Sequence, residues 1–397
     1  MDSDFFFNEY FKVLKCYNDC FLSPTQKAKQ ETVSEMVGVG KNKINEILRT
    51  LCEKGFMCQK DKRGSYVITQ KGQRAVRFFE RASLELEEKP LTFIDLFAGI
   101  GGIRKAFEDK DSQCVFSCEW DKSAQKTYFA NFGEIPYGDI TQIDEKDIPA
   151  HDVILAGFPC QPFSMIGKRE GFDDEKGRGT LFFDILRIIK YHKPKMLFLE
   201  NVPGILTIQD GETFKIILKL LNGEGYDVYW EVLDSANFGL PQSRKRVVIV
   251  GFRKDLNIKN FVIPKKNGAT PLYACDIIEE NPQGYSISKH LQETYLFKKD
   301  DGHPQIIDKN SKVICKTLCA SYHKIQRITG TFVRGGETGV RLLSENECKR
   351  LMGYSDDFKF PVSRTQMYHQ LGNSVCVPVM KAVADAMKEA YQASKQQ

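Results

Sequence analysis

The chain has 397 residues, of which 42% are hydrophobic and 27% charged, and its formal net charge is +5. This composition is typical of a globular protein and excludes a disordered or fibrous one. No uninterrupted apolar run approaches the ~20 residues that cross a bilayer, and the acidic start of the chain lacks the basic segment of a signal peptide. We therefore predict neither a membrane span nor an export signal.

Twelve cysteines are spread along the chain, and none forms a Cys-x-x-Cys pair. In a long chain without an export signal we expect reduced thiols, most of them small buried apolar side chains. A zinc site at the N-terminal cysteines is disfavoured because their spacing fits no standard zinc finger, so we predict no metal. These four cysteines are Cys16, Cys20, Cys52 and Cys58.

The modest net charge is a sum over unlike segments. Residues 41–81 contain eleven basic and four acidic side chains, which gives a net charge of +7. Residues 253–334 contain fourteen basic and eight acidic side chains, which gives a net charge of +6. The rest of the chain therefore carries −8. Two basic segments on an acidic body predict two surfaces that meet a polyanion, although charge alone is equally compatible with solvated faces.

The first basic segment has the order helix, glycine turn, helix and hairpin. We predict helices over Glu31–Val37 and Lys41–Lys54, then hairpin strands over Phe56–Gln59 and Ser65–Thr69. This order resembles a winged helix-turn-helix, whose second helix enters the major groove and whose wing reaches phosphates. The alternative is a helical protein-docking domain without DNA contact. The DNA contacts predicted here are Lys41, Lys43 and, in the turn of the hairpin, Arg63.

From Leu91 onward, short apolar strands alternate with amphipathic helices, which predicts an α/β fold with a largely parallel sheet. From about residue 254 to 335 this alternation is lost, which indicates a separate small lobe, and the last ~60 residues return to a helical pattern. The predicted strands are Thr92–Leu96, Cys114–Cys118, Asp152–Ala156, Met196–Leu199 and Val247–Gly251.

A glycine-rich turn follows the first of these strands, over Phe97–Gly102. Such a turn lets the backbone approach a nucleotide-like ligand closely. Glu119 ends the second strand, where a carboxylate can accept from both hydroxyls of a ribose. Asp139 follows at what we predict to be the next strand end, where it can accept from an adenine amino group. NAD and S-adenosylmethionine fit these features comparably.

A cysteine between two prolines follows the strand Asp152–Ala156. Prolines hold Cys160 rigidly at the carboxyl end of a parallel strand, over the crevice where such sheets bind ligands. Gly167–Gly179 is rich in glycine and basic residues and is predicted to be a lid. Glu200 ends the next strand, so a nucleophile and an acid share one cleft. The alternative for Cys160 is an inert buried thiol.

Five motifs occur in order: DLFAGIGG, GFPCQPFS, ENV, QSRKR and GNSV. This ordered set resembles the DNA (cytosine-5)-methyltransferase family of bacterial restriction-modification systems, over about Thr92 to Ala390. The resemblance implies a Rossmann-like S-adenosylmethionine-dependent methyltransferase fold. It predicts a catalytic domain over 87–253 and 336–397 and a target-recognition lobe over 254–335. The winged helix-turn-helix-like DNA-binding domain, predicted over 1–86, lies outside this resemblance.

The resemblance also implies a mechanism. The Cys160 thiolate attacks C6 of a cytosine that is flipped out of the duplex, which builds electron density at C5 for transfer of the methyl group. Glu200 contacts N3 and Arg246 holds the O2 edge, with Arg244 beside them. Loss of the C5 proton and of the Cys160 thiolate then restores the aromatic ring, and the group that accepts the proton is left open.

Further roles are carried over from the matching motifs. The predicted cofactor residues are Phe97, Gly99, Gly101, Gly102, Glu119, Trp120, Asp139, Ile140, Pro159, Leu181, Asn373 and Val375. The remaining predicted DNA contacts are Ser164, Lys168, Arg178, Gln242, Thr317 and Leu318.

The second basic segment resembles recognition lobes of enzymes that act on sites beginning CC and ending GG, so we favour CCGG or CCNGG. The implied partners are double-stranded DNA and a cognate restriction endonuclease, and the implied location is the bacterial cytoplasm, at the nucleoid. We expect a monomer to suffice for catalysis and leave open a dimer through the N-terminal domain. Rival hypotheses are a tRNA cytosine-5 methyltransferase, a repressor with an idle methyltransferase body and an NAD oxidoreductase.

Overall fold

The computed structural model describes residues 9–22, 29–60, 65–69, 71–73, 75–76, 91–159 and 181–396. The chain divides into two compact units, Met1–Lys89 and Pro90–Gln397. Each unit has a hydrophobic core of its own.

The described part of the first unit contains helices α1 to α3, a short hairpin and further helical residues at 71–73 and 75–76. The spacing of apolar residues in the third helix predicts its buried face, and Ile44, Ile47, Leu48 and Leu51 are indeed buried. Gly38 ends the second helix with a φ of 76°. The hairpin strands are shorter than predicted, at three residues each, and pair antiparallel. The elements are α1 (Glu9–Leu22), α2 (Gln30–Val37), α3 (Lys41–Glu53), β1 (Met57–Gln59) and β2 (Tyr66–Ile68).

The second unit is built on a six-stranded sheet with the order β4-β3-β5-β6-β8-β7. The pairs β3/β4, β3/β5 and β5/β6 are parallel, whereas β8 pairs antiparallel with both β6 and β7. The predicted largely parallel α/β fold is therefore present, with two antiparallel strands at one side. The strands are β3 (Leu91–Leu96), β4 (Ser112–Cys118), β5 (Val153–Gly157), β6 (Met196–Asn201), β7 (Tyr226–Asp234) and β8 (Lys245–Arg253).

Helices cover both faces of this sheet because alternate strand residues point to opposite sides. Phe93 and Leu155 face one core, which includes residues of the first and last helices of the unit, and Ile94 and Ile154 face the other. The helices are α4 (Gly102–Phe107), α5 (Lys122–Phe132), α6 (Leu181–His192), α7 (Glu212–Gly223), α8 (Lys289–Leu291), α9 (Glu345–Met352), α10 (Arg364–Asn373) and α11 (Val377–Ser394). None of the described helices is long and apolar enough to span a bilayer.

A small three-stranded sheet forms within the predicted lobe. It consists of β9 (Gln305–Ile307), β10 (Thr331–Arg334) and β11 (Val340–Arg341), in the order β11-β10-β9. The last strand lies beyond residue 335, where we placed the end of the lobe, because a glycine turn closed by Gly335 N–H donating to Gly339 O brings it back onto β10. Periodicity alone does not reveal a two-residue strand.

The carboxyl ends of the parallel strands meet at one edge of the large sheet. From β3 the chain moves to β4 on one side and then crosses back to β5 on the other, so the strand order reverses beside β3. Open α/β sheets bind ligands in the crevice at such a switch point. The strand ends therefore define where a ligand site is expected.

Candidate active site

The glycine-rich turn after β3 adopts the left-handed backbone that the sequence predicts. Gly99 and Gly101 have φ values of 55° and 82°, and Phe97, a non-glycine residue, has a φ of 53°. A Cβ on Gly102 would lie 2.6 Å from the Tyr354 hydroxyl oxygen. The turn is thus held against the C-terminal part of the unit and admits no side chain at Gly102.

The Glu119 carboxylate is fixed by two backbone donors. The Gly99 N–H donates to Oε2 and the Asp121 N–H to Oε1, both at 2.8 Å. Burial raises the pKa of Glu119, and these two hydrogen bonds oppose the rise. Its neighbour Trp120 is 77% exposed and stands at the edge of the crevice. The remaining lone pairs of this carboxylate can accept from vicinal hydroxyls.

The prediction that Asp139 ends a strand is wrong. The segment touches β4 through a single bridge between Cys118 and Tyr137, because Pro136 has no N–H to extend a ladder. Asp139 instead caps a short 3₁₀-helix by accepting from the Thr141 N–H at 3.0 Å.

A cavity of about 810 Å³ opens at these strand ends. All of the predicted cofactor residues line it except Gly101, whose Cα faces the Phe132 ring instead. Glu200 and Arg246 line the same cavity, so the predicted cofactor and base-chemistry residues share one space.

The cavity also contains residues that the sequence analysis missed. Asp95 is buried, and burial raises its pKa well above the ordinary value. A carboxyl in the middle of an apolar strand is a signal that could have identified it. Gln370 and His369 had a weaker signal, their position just before the GNSV motif. The other missed lining residues include Asp121, Thr141, Asn201, Val202 and Ser374.

Glu200 and Arg246 form an ion pair on adjacent strands. The Arg246 Nε lies 2.9 Å from the Glu200 Oε1, and β6 places Glu200 directly opposite Val248 of β8. Burial raises the pKa of Glu200, while Arg246 and then Arg244 oppose the rise. A carboxyl of this kind can be protonated more readily than an exposed one and can donate to a ring nitrogen.

Arg244 does not reach the cavity, which corrects its predicted catalytic role. Its Nη1 donates to the Leu318 carbonyl at 2.9 Å, and its Nη2 donates to the carbonyls of Gly372 and Ser374 at 2.7 and 2.6 Å. Burial lowers its pKa to about 10, and the charge of Arg246 adds to this. Arg244 therefore holds two backbone segments, at Leu318 and at Gly372–Ser374, and does not line the cavity.

Gln242 is fully buried, so the predicted direct DNA contact also becomes a positioning role. Its side-chain oxygen accepts from the Leu318 N–H at 2.6 Å and its Nε2 donates to the Leu351 carbonyl at 3.0 Å. Leu318 is likewise buried, and Thr317 donates through its hydroxyl to the Ser243 carbonyl at 2.6 Å. The Thr-Leu pair thus joins the small lobe to the strand that carries Arg246.

The segment that leads to the predicted nucleophile is held by β6. Asn201 Nδ2 donates to the Phe158 carbonyl at 2.9 Å, and Pro159 lines the cavity. Cys160, the predicted nucleophile, comes directly after Pro159 but lies outside the described residues. Four of the predicted DNA contacts lie outside them as well. These are Ser164, Lys168, Arg178 and Arg63.

In the first unit, the two predicted lysine contacts on α3 form ion pairs within the unit. Lys41 Nζ lies 2.6 Å from a Glu31 carboxylate oxygen, and Lys43 Nζ lies 2.9 Å from one of Glu46. Both pairs are solvent-exposed and therefore weak enough to be exchanged for another anion. Among the described residues, no group of three or more His, Cys, Asp or Glu side chains could hold a metal ion.

Residues 91–389 match the family model described as C-5 cytosine-specific DNA methylase. The chain belongs to this family. It is therefore a Type II cytosine-5 DNA methyltransferase of the restriction-modification kind, and S-adenosylmethionine is its cofactor. The Glu119 carboxylate, the glycine turn and the cavity fit that cofactor, because they provide acceptors for a ribose and close backbone approach to an amino acid group.

The methyltransferase is similar to several bacterial enzymes. It is 64% identical over 299 residues to Type II methyltransferase M.BsuFI of Bacillus subtilis, covering 75% of this chain and 73% of that relative. It is 54% identical over 308 residues to M.MspI of a Moraxella species, covering 77% and 72%. With M1.ScrFI of Lactococcus lactis subsp. cremoris it is 39% identical over 386 residues, covering 92% and 93%.

A solved structure of the Entamoeba histolytica methyltransferase EhMeth matches the fold with a TM-score of 0.61. The match covers 78% of this chain and 100% of that one, at 23% sequence identity. At this identity the likeness supports the α/β methyltransferase fold alone.

Proposed function

We propose that this methyltransferase methylates C5 of a cytosine flipped out of a specific duplex DNA site, through a covalent bond between Cys160 and C6. The observation that carries the proposal is the Glu200–Arg246 pair, which lies in the same cavity as the Glu119 cradle. One cavity can therefore hold a nucleoside of the cofactor and a target base together. S-adenosylmethionine supplies an electrophilic methyl group there.

Each residue of the pair has a role that its geometry supports. Burial raises the pKa of Glu200, and its carboxyl, once protonated, would donate to N3 as electron density builds in the ring. The Arg246 Nη1 donates to the Lys245 carbonyl at 2.7 Å, and its Nη2 would donate to the O2 edge. Asn201 holds the backbone carbonyl of Phe158, two residues before Cys160 in the chain.

The test is transfer of a tritiated methyl group to duplex DNA and, in parallel, to tRNA. We expect labelled DNA with wild type and none with Cys160→Ala, which should still bind S-adenosylmethionine because its cavity is unchanged. Cys16→Ala in the first unit is the matched control and should retain transfer. Labelling of tRNA alone would favour the tRNA methyltransferase, and an active Cys160→Ala would contradict the nucleophile.

We propose CCGG or CCNGG as the target and protection against a cognate endonuclease as the biological role. The Type II names of the relatives support this role. Bisulfite sequencing of DNA from a host that expresses the chain would reveal the methylated cytosine and its context. Methylation outside both sequences would refute the target.

For residues 1–86 we propose a winged helix-turn-helix that binds the enzyme's own promoter and represses it. The order α2, turn, α3 and hairpin supports this, and the similarity to M1.ScrFI extends over 92% of the chain, which includes part of this region. Deletion of residues 1–86 should preserve methylation and abolish promoter binding in a mobility-shift assay. Promoter binding that survives the deletion would contradict the regulatory role. Size-exclusion chromatography of the full chain would separately test whether it forms a dimer.

A further inference from the structure

Two loops of the small lobe lie side by side and present basic and apolar side chains to solvent. The first loop, residues 296–303, precedes β9, and the second, residues 321–330, precedes β10. Exposed apolar groups interleaved with lysines are typical of a surface that meets both phosphates and bases. We call the following residues the paired-loop surface: Phe297 (46% exposed), Lys298, Lys299, Lys324 and Ile328 (64% exposed).

Arg327 belongs to the second loop, but its side chain is directed into the first. It is only 6% exposed, in contrast to its lysine neighbours. Its Nε donates to the Leu296 carbonyl at 2.9 Å, and its Nη2 donates to the carbonyls of Lys299 and His303 at 2.9 and 3.0 Å. One guanidinium therefore fixes the backbone of the whole first loop.

The same guanidinium binds the Asp301 carboxylate with both Nη groups. Nη1 lies 2.8 Å from Oδ2, and Nη2 contacts Oδ1. This contact lowers the pKa of Asp301 to about 2. The positive charge of Arg327 is thus paired within the lobe and is not presented to a phosphate.

The second loop has supports of its own. Lys316 Nζ donates to the Ile328 carbonyl at 2.6 Å and lies 3.1 Å from the His303 Nδ1, which ties the second loop to the first again. Ile325 has a φ of 54°, a strained conformation for a β-branched residue that persists only where the surroundings enforce it. Both loops are therefore rigid relative to each other.

The second loop is also connected to the active site through hydrogen bonds of Leu318. It begins three residues after Leu318, whose N–H donates to Gln242 and whose carbonyl accepts from Arg244. A shift of the loop would therefore act on the strand that carries Arg246.

We propose that the Arg327–Asp301 contact clamps the two loops into one base-reading surface, and that Arg327 is a positioning residue for target discrimination and not a phosphate contact. The proposal rests on the proposed DNA substrate. A lysine at position 327 keeps the charge but cannot form the planar fork that reaches several acceptors.

The experiment compares wild type with Arg327→Lys on two duplexes, the one methylated by wild type and one with a single changed base pair in that site. We expect the ratio of kcat/KM between the two duplexes to fall roughly 10-fold, a size within what one base pair contributes. The loss should lie in the KM for the correct duplex, with kcat retained. The slope of log binding constant against log salt should stay unchanged, because no phosphate contact is lost.

Two further variants control this test. Arg334→Lys is the matched substitution at an exposed arginine of β10 and should leave discrimination unchanged. Asp301→Asn breaks the clamp from its exposed side and should reproduce the loss, which keeps the test decisive if Arg327→Lys does not fold.

The contrary outcomes are distinct. Wild-type discrimination in folded Arg327→Lys or Asp301→Asn overturns the clamp. A salt slope reduced by about 0.9 in Arg327→Ala and restored in Arg327→Lys identifies a phosphate contact and also overturns it. A wild type that methylates no duplex overturns the proposed function, and the clamp with it.

Discussion

Replacing Glu119 by Gln tests the cofactor cradle most directly. Each Glu119 oxygen accepts one backbone N–H at 2.8 Å, from Gly99 or from Asp121. An amide offers one oxygen only, so one of these N–H groups would face an NH₂. The ribose hydroxyls would then donate to an uncharged group. Because a hydrogen bond to a charged group contributes roughly 1.5–3 kcal/mol, its loss from the complex should raise the Kd for S-adenosylmethionine about 10- to 100-fold.

Isothermal titration with S-adenosylhomocysteine measures this change. Glu231→Gln is the matched control, since Glu231 lies on β7, pairs with Lys265 and does not line the cavity. A ligand without the ribose 2′-hydroxyl should bind wild type more weakly than S-adenosylhomocysteine does. Glu119→Gln should bind the two ligands almost equally, because the two changes remove the same contact. Folded Glu119→Gln with an unchanged Kd would refute the reasoning.

The pH dependence of binding provides a further check on Glu119. Burial raises its pKa, so the carboxylate that accepts the ribose hydroxyls is lost at a higher pH than for an exposed glutamate. Affinity in wild type should therefore fall as the pH drops toward that raised value. Glu119→Gln should not show this fall.

Three other changes test the packing of the second unit. Arg244→Lys should lower the free energy of unfolding by about 3 kcal/mol because a lysine leaves carbonyl partners unpaired. Denaturant unfolding of Arg253→Lys, at a half-buried arginine, is the comparison, and an equally small loss in both variants would contradict this expectation. Gly102→Ala forces a Cβ against the Tyr354 hydroxyl, so thermal unfolding should show a loss of roughly 1–3 kcal/mol, and wild-type stability with intact cofactor affinity would argue against the close contact. Burial lowers the pKa of His151 to about 4 from 6.5, so only the unfolded state binds its proton between these values, and stability is lost as the pH falls through that window. At ~1.4 kcal/mol per pKa unit, the stability lost on acidification is about 3 kcal/mol. Urea unfolding at pH 7 and 4.5 should show this loss in wild type and not in His151→Asn. An equal loss in the variant would exclude His151 as its source.

Much of the site was predictable because it lies where strands end. The glycine turn, Glu119 and Glu200 each follow a short apolar run, and parallel strands bring such ends to one edge. The same reasoning predicts the wrong position for Asp139, because in the sequence a turn after an apolar segment resembles a strand end. The local hydrophobic pattern identifies where an apolar segment ends, but it does not show whether that segment forms the hydrogen bonds of a β-sheet.

What the sequence by itself determined is the α/β order of elements, the strand-end positions and the family motifs, all of which depend on residues close together in the chain. Only the tertiary structure decided which polar residues face the cavity and which hold other segments. Arg244 reaches carbonyls 74 and 128 residues away, and Arg327 binds a loop 24 to 31 residues earlier. Residue spacing along the chain does not predict such contacts, because hydrogen bonds between distant segments form only when the packed core brings those segments together.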